Sequence, residues 1–342
     1  MHVVLAHARR DAPFHLFVLG YAFVGMILAL ALGVPHKFQP LSYIELLAGS
    51  WMRVPALIVG GAAIWALKSP SPLVAWWGHL VRLLTSPRLL SALLLFASLS
   101  IFLGVFSSVK SMLPDLVPFY GDPFVANLDR WLHGQDVWRY TSAIVPPRMT
   151  LVLEGLYLAG WGLMLTASIL AVLAMPKLRA VRAQFLWSFL LVWPVLGNVV
   201  AVSVMTAGPV YYDLVACDLR FAALLDYVLK NSLMQQEIQA LLWTSHTHGQ
   251  AGLGTGISAF PSLHVAVATL FVLLAWHVNR WAKWASIVFA VTTLFTSVHL
   301  GWHYAIDGYF SIAATYVIWL MAGKMLKQPK TENAENKAAV MR

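Results

Sequence analysis

The sequence predicts an all-α integral membrane protein of about eight transmembrane helices, and three observations carry that prediction. Of its 342 residues, 60% are hydrophobic and only 11% are charged, far too apolar a balance for a soluble domain of this length. Runs of about 18 or more nearly uncharged residues recur, each long enough to cross a hydrocarbon layer of about 30 Å as a helix. The basic residues are also unevenly placed between those runs. With the amino end cytoplasmic, 15 of the 23 Lys and Arg fall in segments on the inner side. That satisfies the positive-inside rule with both termini cytoplasmic. The formal charge of +9 is therefore an orientation signal facing anionic lipid, and it argues against a nucleic-acid partner.

In chain order the runs occupy about 14–33, 51–67, 89–109, 149–174, 183–206, 263–279, 284–302 and 304–323. The first follows Arg9 and Arg10 in the manner of a signal peptide. It lacks a small-residue cleavage site and further spans follow, so it reads as a retained helix. The second is short and holds Gly60 and Gly61, the weakest of the eight. Residues 1–88 thus read as two extra spans with a cytoplasmic loop, and 89–326 as a six-helix membrane core. Residues 327–342, polar and without apolar periodicity, read as a disordered cytoplasmic tail. The single cysteine, Cys217, excludes an internal disulfide and reads as a small buried apolar residue.

Two extracytoplasmic segments carry helical patterns too polar to span. Between residues 110 and 148, Phe124, Leu128, Trp131 and Leu132 recur at helical spacing, which predicts a short amphipathic helix at the membrane interface. Asp115, Asp122, Asp129 and Asp136 recur every seven residues, the mark of a polar helix face more than of a calcium loop. Most of the 15 tryptophans read as interfacial anchors. Between 207 and 262, Leu224, Leu225, Val228, Leu229 and Leu233 make an apolar stripe. His246 and His248, in "TSHTHGQAGLGTGIS", read as a solvated glycine loop and not as a metal site.

Two stretches carry chemistry. In "GISAFPSLHVAV" (Gly256–Val267), Pro261 suits the first turn of a helix. The backbone N–H groups of Ser262 and Leu263 would then form an anion cradle at the positive helix end, beside His264. In "SVHLGWHYAIDGY" (Ser297–Tyr309), His299, His303 and Asp307 are spaced i, i+4, i+8, one face of a helix, with Gly301 a weak point. An ionisable residue at the start of a spanning helix is by default a functional candidate. A carboxylate one turn beyond a histidine orients the imidazole and leaves its other nitrogen to attack. The span order puts His264, His303 and Asp307 on one side of the membrane, facing out. A transporter would show paired halves with interrupted helices, which are not seen. A non-catalytic lipid-binding scaffold has no need of this triad.

"PSLH" (Pro261–His264) and "HYAID" (His303–Asp307) resemble the second and third signature motifs of the type 2 phosphatidic acid phosphatase superfamily. "SAFPSLHVA" with "HYAID" is similar to the branch containing inositol phosphorylceramide synthases, as are "AGPVYY" (Ala207–Tyr212) and "MLPDLVPF" (Met112–Phe119). The resemblance covers about residues 205–311. It departs from the superfamily in two places. The first motif is not visible, and the arginine six residues before the nucleophilic histidine falls on Ser297. Arg220, Lys230, Arg148 and His299 are the candidates to hold phosphate in its place. The resemblance implies a six-helix phosphatase-like core and a two-step transfer without metal or other cofactor. His303 attacks phosphorus, Asp307 orients it, and His264 protonates the leaving oxygen. A phospholipid or lipid phosphate is the implied donor. The acceptor is a lipid alcohol or water. The synthase-like motifs and the polar segment 213–250 favour transfer, with hydrolysis of a lipid phosphate or polyprenyl diphosphate as the alternative.

Overall fold

The structure is a computed structural model that describes residues 2–44, 67, 69–84 and 87–326. The span expected at 51–67 and the tail expected at 327–342 lie outside the described residues, Leu67 excepted. Among the described residues the protein is all-helical and multi-pass, with six helices long and apolar enough to cross a membrane. These are Asp11–Ala31, Leu93–Leu116, Pro147–Leu173, Arg182–Ser203, Arg280–His299 and Ala305–Leu326, and a shorter apolar helix, Leu263–Ala275, accompanies them. All seven fall on runs read from the sequence, with ends shifted by a few residues.

The helices group into two compact units. The first comprises Met1–Val117 with Ala240–Ile257. It holds α1 (His2–Ala31), α2 (Pro72–Leu84) and α3 (Pro87–Leu116). Helix α3 was expected in the six-helix core but packs in this unit, against α1. The Tyr21 and Phe102 rings lie 5.5 Å apart, and His15 Nδ1 is 2.7 Å from Ser98 Oγ. Gly25 lets the two helices close, since a Cβ there would meet Val105 and Val109 at 3.2 Å. In the same unit Lys37 Nζ donates to Asp115 Oδ2 at 2.6 Å.

The second unit comprises Pro118–Gln239 with Ser258–Arg342. It begins with α4 (Asp122–His133) and α5 (Trp138–Ile144). A long span follows, made of α6 (Pro147–Gly155), a π-turn (Leu156–Gly160) and α7 (Trp161–Ala174). The next runs from α8 (Arg182–Pro194) through a second π-turn (Val195–Val200) into α9 (Ala201–Ser203). Two short helices, α10 (Tyr212–Ala216) and α11 (Ala222–Asn231), come after it, and then α12 (Gln235–Thr247), which crosses the unit boundary. The unit ends with α13 (Leu263–Ala275), α14 (Arg280–His299) and α15 (Ala305–Leu326).

Helix α13 is the centre of this unit. It is apolar on every face, and Val265, Ala266, Val267, Ala268 and Leu270 are wholly buried, as expected of a helix surrounded by protein. Its 13 residues rise only about 20 Å, short of a full crossing. Above it an apolar cluster ties the polar-faced helices to the turn after α14, through Val125, Trp138, Tyr212, Phe221, Leu224, Val298 and Tyr304. The stripe expected at 224–233 is shorter than the sequence implied. Leu224 and Val228 are buried, but Leu233 lies past the end of α11 and is exposed.

Candidate active site

His303 sits in the turn between α14 and α15, not on a helix. Gly301 adopts φ +76°, a conformation that glycine reaches without the cost a side chain imposes. The chain folds back there, so that the N–H groups of Trp302 and His303 both donate to the Ser297 carbonyl, at 3.0 and 3.2 Å. The single helical face expected for His299, His303 and Asp307 is therefore broken. His299 closes α14 and Asp307 belongs to the first turn of α15. The expected pair still forms: His303 Nδ1 lies 3.3 Å from Asp307 Oδ2. The same oxygen accepts the Tyr304 N–H at 3.1 Å. Asp307 is wholly buried, and among the described residues its Oδ1 has no hydrogen-bond partner.

The motif around His264 adjoins this turn. Ser262 is the N-cap of α13, its Oγ accepting weakly from the Val265 N–H at 3.5 Å. Pro261 thus precedes the cap and does not sit in the first helical turn. The Ser262 N–H donates to the Asp307 carbonyl at 3.4 Å. That bond links the two motifs and corrects the expected cradle, because this N–H is already engaged; Leu263 opens the helix beside it. Gly308 lets the three helices converge, since a Cβ there would collide with Leu294 and touch Val265. The His264 ring packs on two aromatics of the long span. Tyr157 stacks on it with centroids 4.4 Å apart and planes 19° apart, and Trp161 lies at 4.6 Å.

Two carboxylates support the turn from the other side, and a third lies in the cleft beside it. Asp122 accepts from the Ala207 N–H (2.6 Å), the Gly208 N–H (2.8 Å) and the Tyr304 hydroxyl (2.8 Å). Burial pushes its carboxyl above the ordinary range, and these three donors work against that shift. Asp129 caps α15 by accepting the Ile306 N–H at 3.0 Å, and it too is raised by burial, with the Ile306 N–H and His133 opposing. Asp136 receives the Arg220 guanidinium through Nε at 3.1 Å and through Nη2. A narrow cleft beside His303 is lined by Asp129, Asp136, Trp138, Pro209 and Phe221. The Asp row is thus a polar helix face, as expected, for Asp122 and Asp129 alone, and that face is buried against the site.

The four phosphate-holding candidates are not among the residues that line this cleft, although Arg220 bonds one that is. Arg220 also donates to Asn127 Oδ1 and to the Ala126 carbonyl, which commits its fork to α4. Burial works to lower the Arg220 pKa, but Asp136 and Tyr212 together outweigh it, and the net shift is upward. Lys230 is exposed and paired with Asp226 at 2.7 Å. Arg148 is exposed in the first turn of α6. Among the described residues neither lysine nor arginine lines the cleft at His303. His299 is wholly buried, with Nε2 3.0 Å from Thr150 Oγ1 and Nδ1 3.2 Å from Thr141 Oγ1. Both its nitrogens thereby serve the packing of α5, α6 and α14. His246 is not in a loop but in the last turn of α12. Among the described residues no three His, Cys, Asp or Glu side chains gather as a metal-ligand set.

A family model described as the PAP2 superfamily matches residues 124–322, more than half of the chain. The chain belongs to the PAP2 superfamily. Membership gives it a function of the phosphatase or phosphotransferase type. No curated protein and no solved structure matches it. The PAP2 match begins within α4, ends within α15 and contains both histidine motifs.

Sequence reasoning did not find the supporting roles of Asp122, Asp129, Tyr157 and Trp161. The Asp spacing was visible, but nothing local showed which side of α4 faced protein. Tyr157 and Trp161 stand in a span whose aromatics look like lipid-facing anchors, and only the fold brings His264 to them.

Proposed function

We propose that the protein moves a phosphoryl group or phospho-headgroup from a lipid donor through a phosphohistidine on His303, at the extracytoplasmic face. The observation that carries this reading is the His303–Asp307 pair, tied through Ser262 to the helix of His264 in a PAP2 protein. Asp307 holds the Nδ1 side of the imidazole, so Nε2 is the attacking atom. A bond forms between Nε2 and phosphorus while the bond from phosphorus to the lipid oxygen breaks, its electron pair leaving on that oxygen. His264 gives that oxygen a proton. In the second step an acceptor hydroxyl attacks phosphorus and yields its proton to His264. The N–P bond breaks and its pair returns to Nε2. The acceptor approaches from the side the first alcohol left, so one histidine serves both steps. The spans present apolar side chains outward, which supports a donor that enters sideways from the bilayer.

The acceptor is read as a lipid alcohol, on the similarity of "SAFPSLHVA" and "AGPVYY" to the inositol phosphorylceramide synthase branch. The test incubates purified protein with labelled phospholipid donors, with and without ceramide or diacylglycerol, and repeats it in chelator. A labelled lipid that appears only with acceptor, at undiminished rate in chelator, is the expected result. Free phosphate at the same rate regardless of acceptor makes the protein a lipid phosphate phosphatase. A strict metal requirement overturns the mechanism.

A further inference from the structure

The long span that carries Tyr157 and Trp161 is interrupted at Leu156–Gly160 by a π-turn. A π-turn departs from α-helical hydrogen bonding and is frequently found at functional sites. Here the interruption coincides with one histidine. Tyr157, inside the turn, stacks on the His264 ring, while Trp161, the first residue after it, packs on the same ring at a 48° tilt. The Trp161 indole N–H also donates to the His264 carbonyl at 3.0 Å. Ring and backbone of His264 are therefore both gripped by a single turn of a neighbouring helix. Trp161 is itself braced, edge-on, by Trp193 at 6.4 Å. Tyr157 is buried, which leaves its ring little freedom to move away.

We propose that Tyr157 and Trp161 are positioning residues, an aromatic clamp that fixes where the His264 imidazole presents its proton. The proposal rests on the transfer chemistry above. A general acid has to lie within about 2.6–3.2 Å of the oxygen it protonates, and a displacement of about 1 Å costs on the order of 10²-fold. An imidazole on two rotatable bonds, in the first turn of a helix, does not hold that geometry unaided. Two aromatic faces and a bond to its own backbone do. The clamp acts on the acid, so it matters only where the leaving oxygen needs a proton.

That dependence supplies the test. Full-length protein in lipid nanodiscs is given two donors under single-turnover conditions. Phosphatidate loses a diacylglycerol oxygen that has to be protonated, whereas p-nitrophenyl phosphate loses a nitrophenolate that does not. Tyr157→Leu and Trp161→Leu should slow diacylglycerol release by about 10–100-fold and leave nitrophenolate release near wild type. Tyr157→Phe, which keeps the ring, should match wild type on both. Equal losses on both donors would mark the aromatics as merely structural and overturn the proposal, as would a wild-type rate for Tyr157→Leu on phosphatidate. If the leucine variants do not elute as folded protein, Trp161→Phe decides. It removes the indole N–H and its five-membered ring while keeping an aromatic face, and should slow phosphatidate selectively, and no selectivity overturns the clamp. A wild type that turns over neither donor overturns the phosphoryl-transfer reading and the clamp with it, whereas an active wild type with unselective variants overturns only the clamp.

Discussion

Asp307 Oδ2 accepts from the Tyr304 N–H at 3.1 Å and lies 3.3 Å from His303 Nδ1, so one buried oxygen sets both the turn and the ring. Asp307→Asn can satisfy the backbone donor but offers the ring an amide in place of a carboxylate. It should fold normally and lose about 10²–10⁴-fold in rate, the usual worth of an acid–base or orienting group. His303→Ala should abolish both turnover and any covalent phosphoenzyme, and His264→Ala should slow expulsion of the leaving group by a similar factor. Labelled phosphate retained on denatured His303→Ala protein would sink this assignment. A second residue-scale prediction concerns Gly208, whose φ is +96° and whose Cβ would lie 2.7 Å from the Trp302 carbonyl oxygen. Its own N–H is held by Asp122, so neither side can give. Gly208→Ala should destabilise the protein by about 1–3 kcal/mol and depress activity through the displaced turn; an unchanged melting temperature would count against it. At this scale the contact of His303 with Asp307 was legible because both stand in one short motif. The role of Asp122 was not, because its partners Ala207, Gly208 and Tyr304 are far away in sequence.

Helix α4 shows what periodicity can and cannot say about an element. Its apolar stripe was plain, and Phe124, Leu128, Trp131 and Leu132 are indeed exposed, Trp131 at 79%. The opposite stripe, with Asp122, Val125, Ala126 and Asp129, is the buried one. In water an apolar stripe points to protein. At a membrane interface it points to lipid, and the carboxylates turn inward to cap and brace. The break at Gly301 was likewise half visible: a glycine announces a weak helix, but only the fold shows the chain reversing onto Ser297. The inward carboxylate makes a pH prediction. Burial raises Asp129 above its ordinary pKa of about 4. The folded protein therefore holds this proton more tightly than the unfolded chain does. The associated stability is fully present below about pH 4 and is lost as pH rises through the raised folded value. Asp129→Asn keeps an acceptor for the Ile306 N–H and cannot ionise. Its melting temperature relative to wild type should climb as pH rises from about 4, and a difference that stays flat to about pH 8 would refute the argument.

For the whole molecule, hydropathy located the spans because each must be apolar for its full length, but it says nothing of which spans pair. That is why α3, expected in the core, is found packed on α1. Orientation is the remaining global expectation. Where α13 ends and α14 begins, Arg280 lies over Trp281 at 4.7 Å and Lys283 over Trp276 at 3.3 Å. Exposed Trp276, Trp281 and Trp284 surround this junction, a pairing of aromatic rings and cations suited to a membrane–water boundary. The positive-inside rule predicts that this is the cytoplasmic end, which would put the opposite ends of α13 and α14, with His264 and the turn of His303, outside. The chain carries its own reporter for this test. Cys217, its one cysteine, is exposed, contrary to the buried position expected, and follows α10 in the segment 207–262. A membrane-impermeant thiol reagent should label Cys217 on intact cells. In a Cys217→Ala background, Arg280→Cys should be labelled only after permeabilisation. Both variants leave the histidine motifs untouched, so activity reports their folding. The reverse labelling pattern would invert the bundle, move the histidines to the cytoplasmic face, and make the inner leaflet the source of the donor.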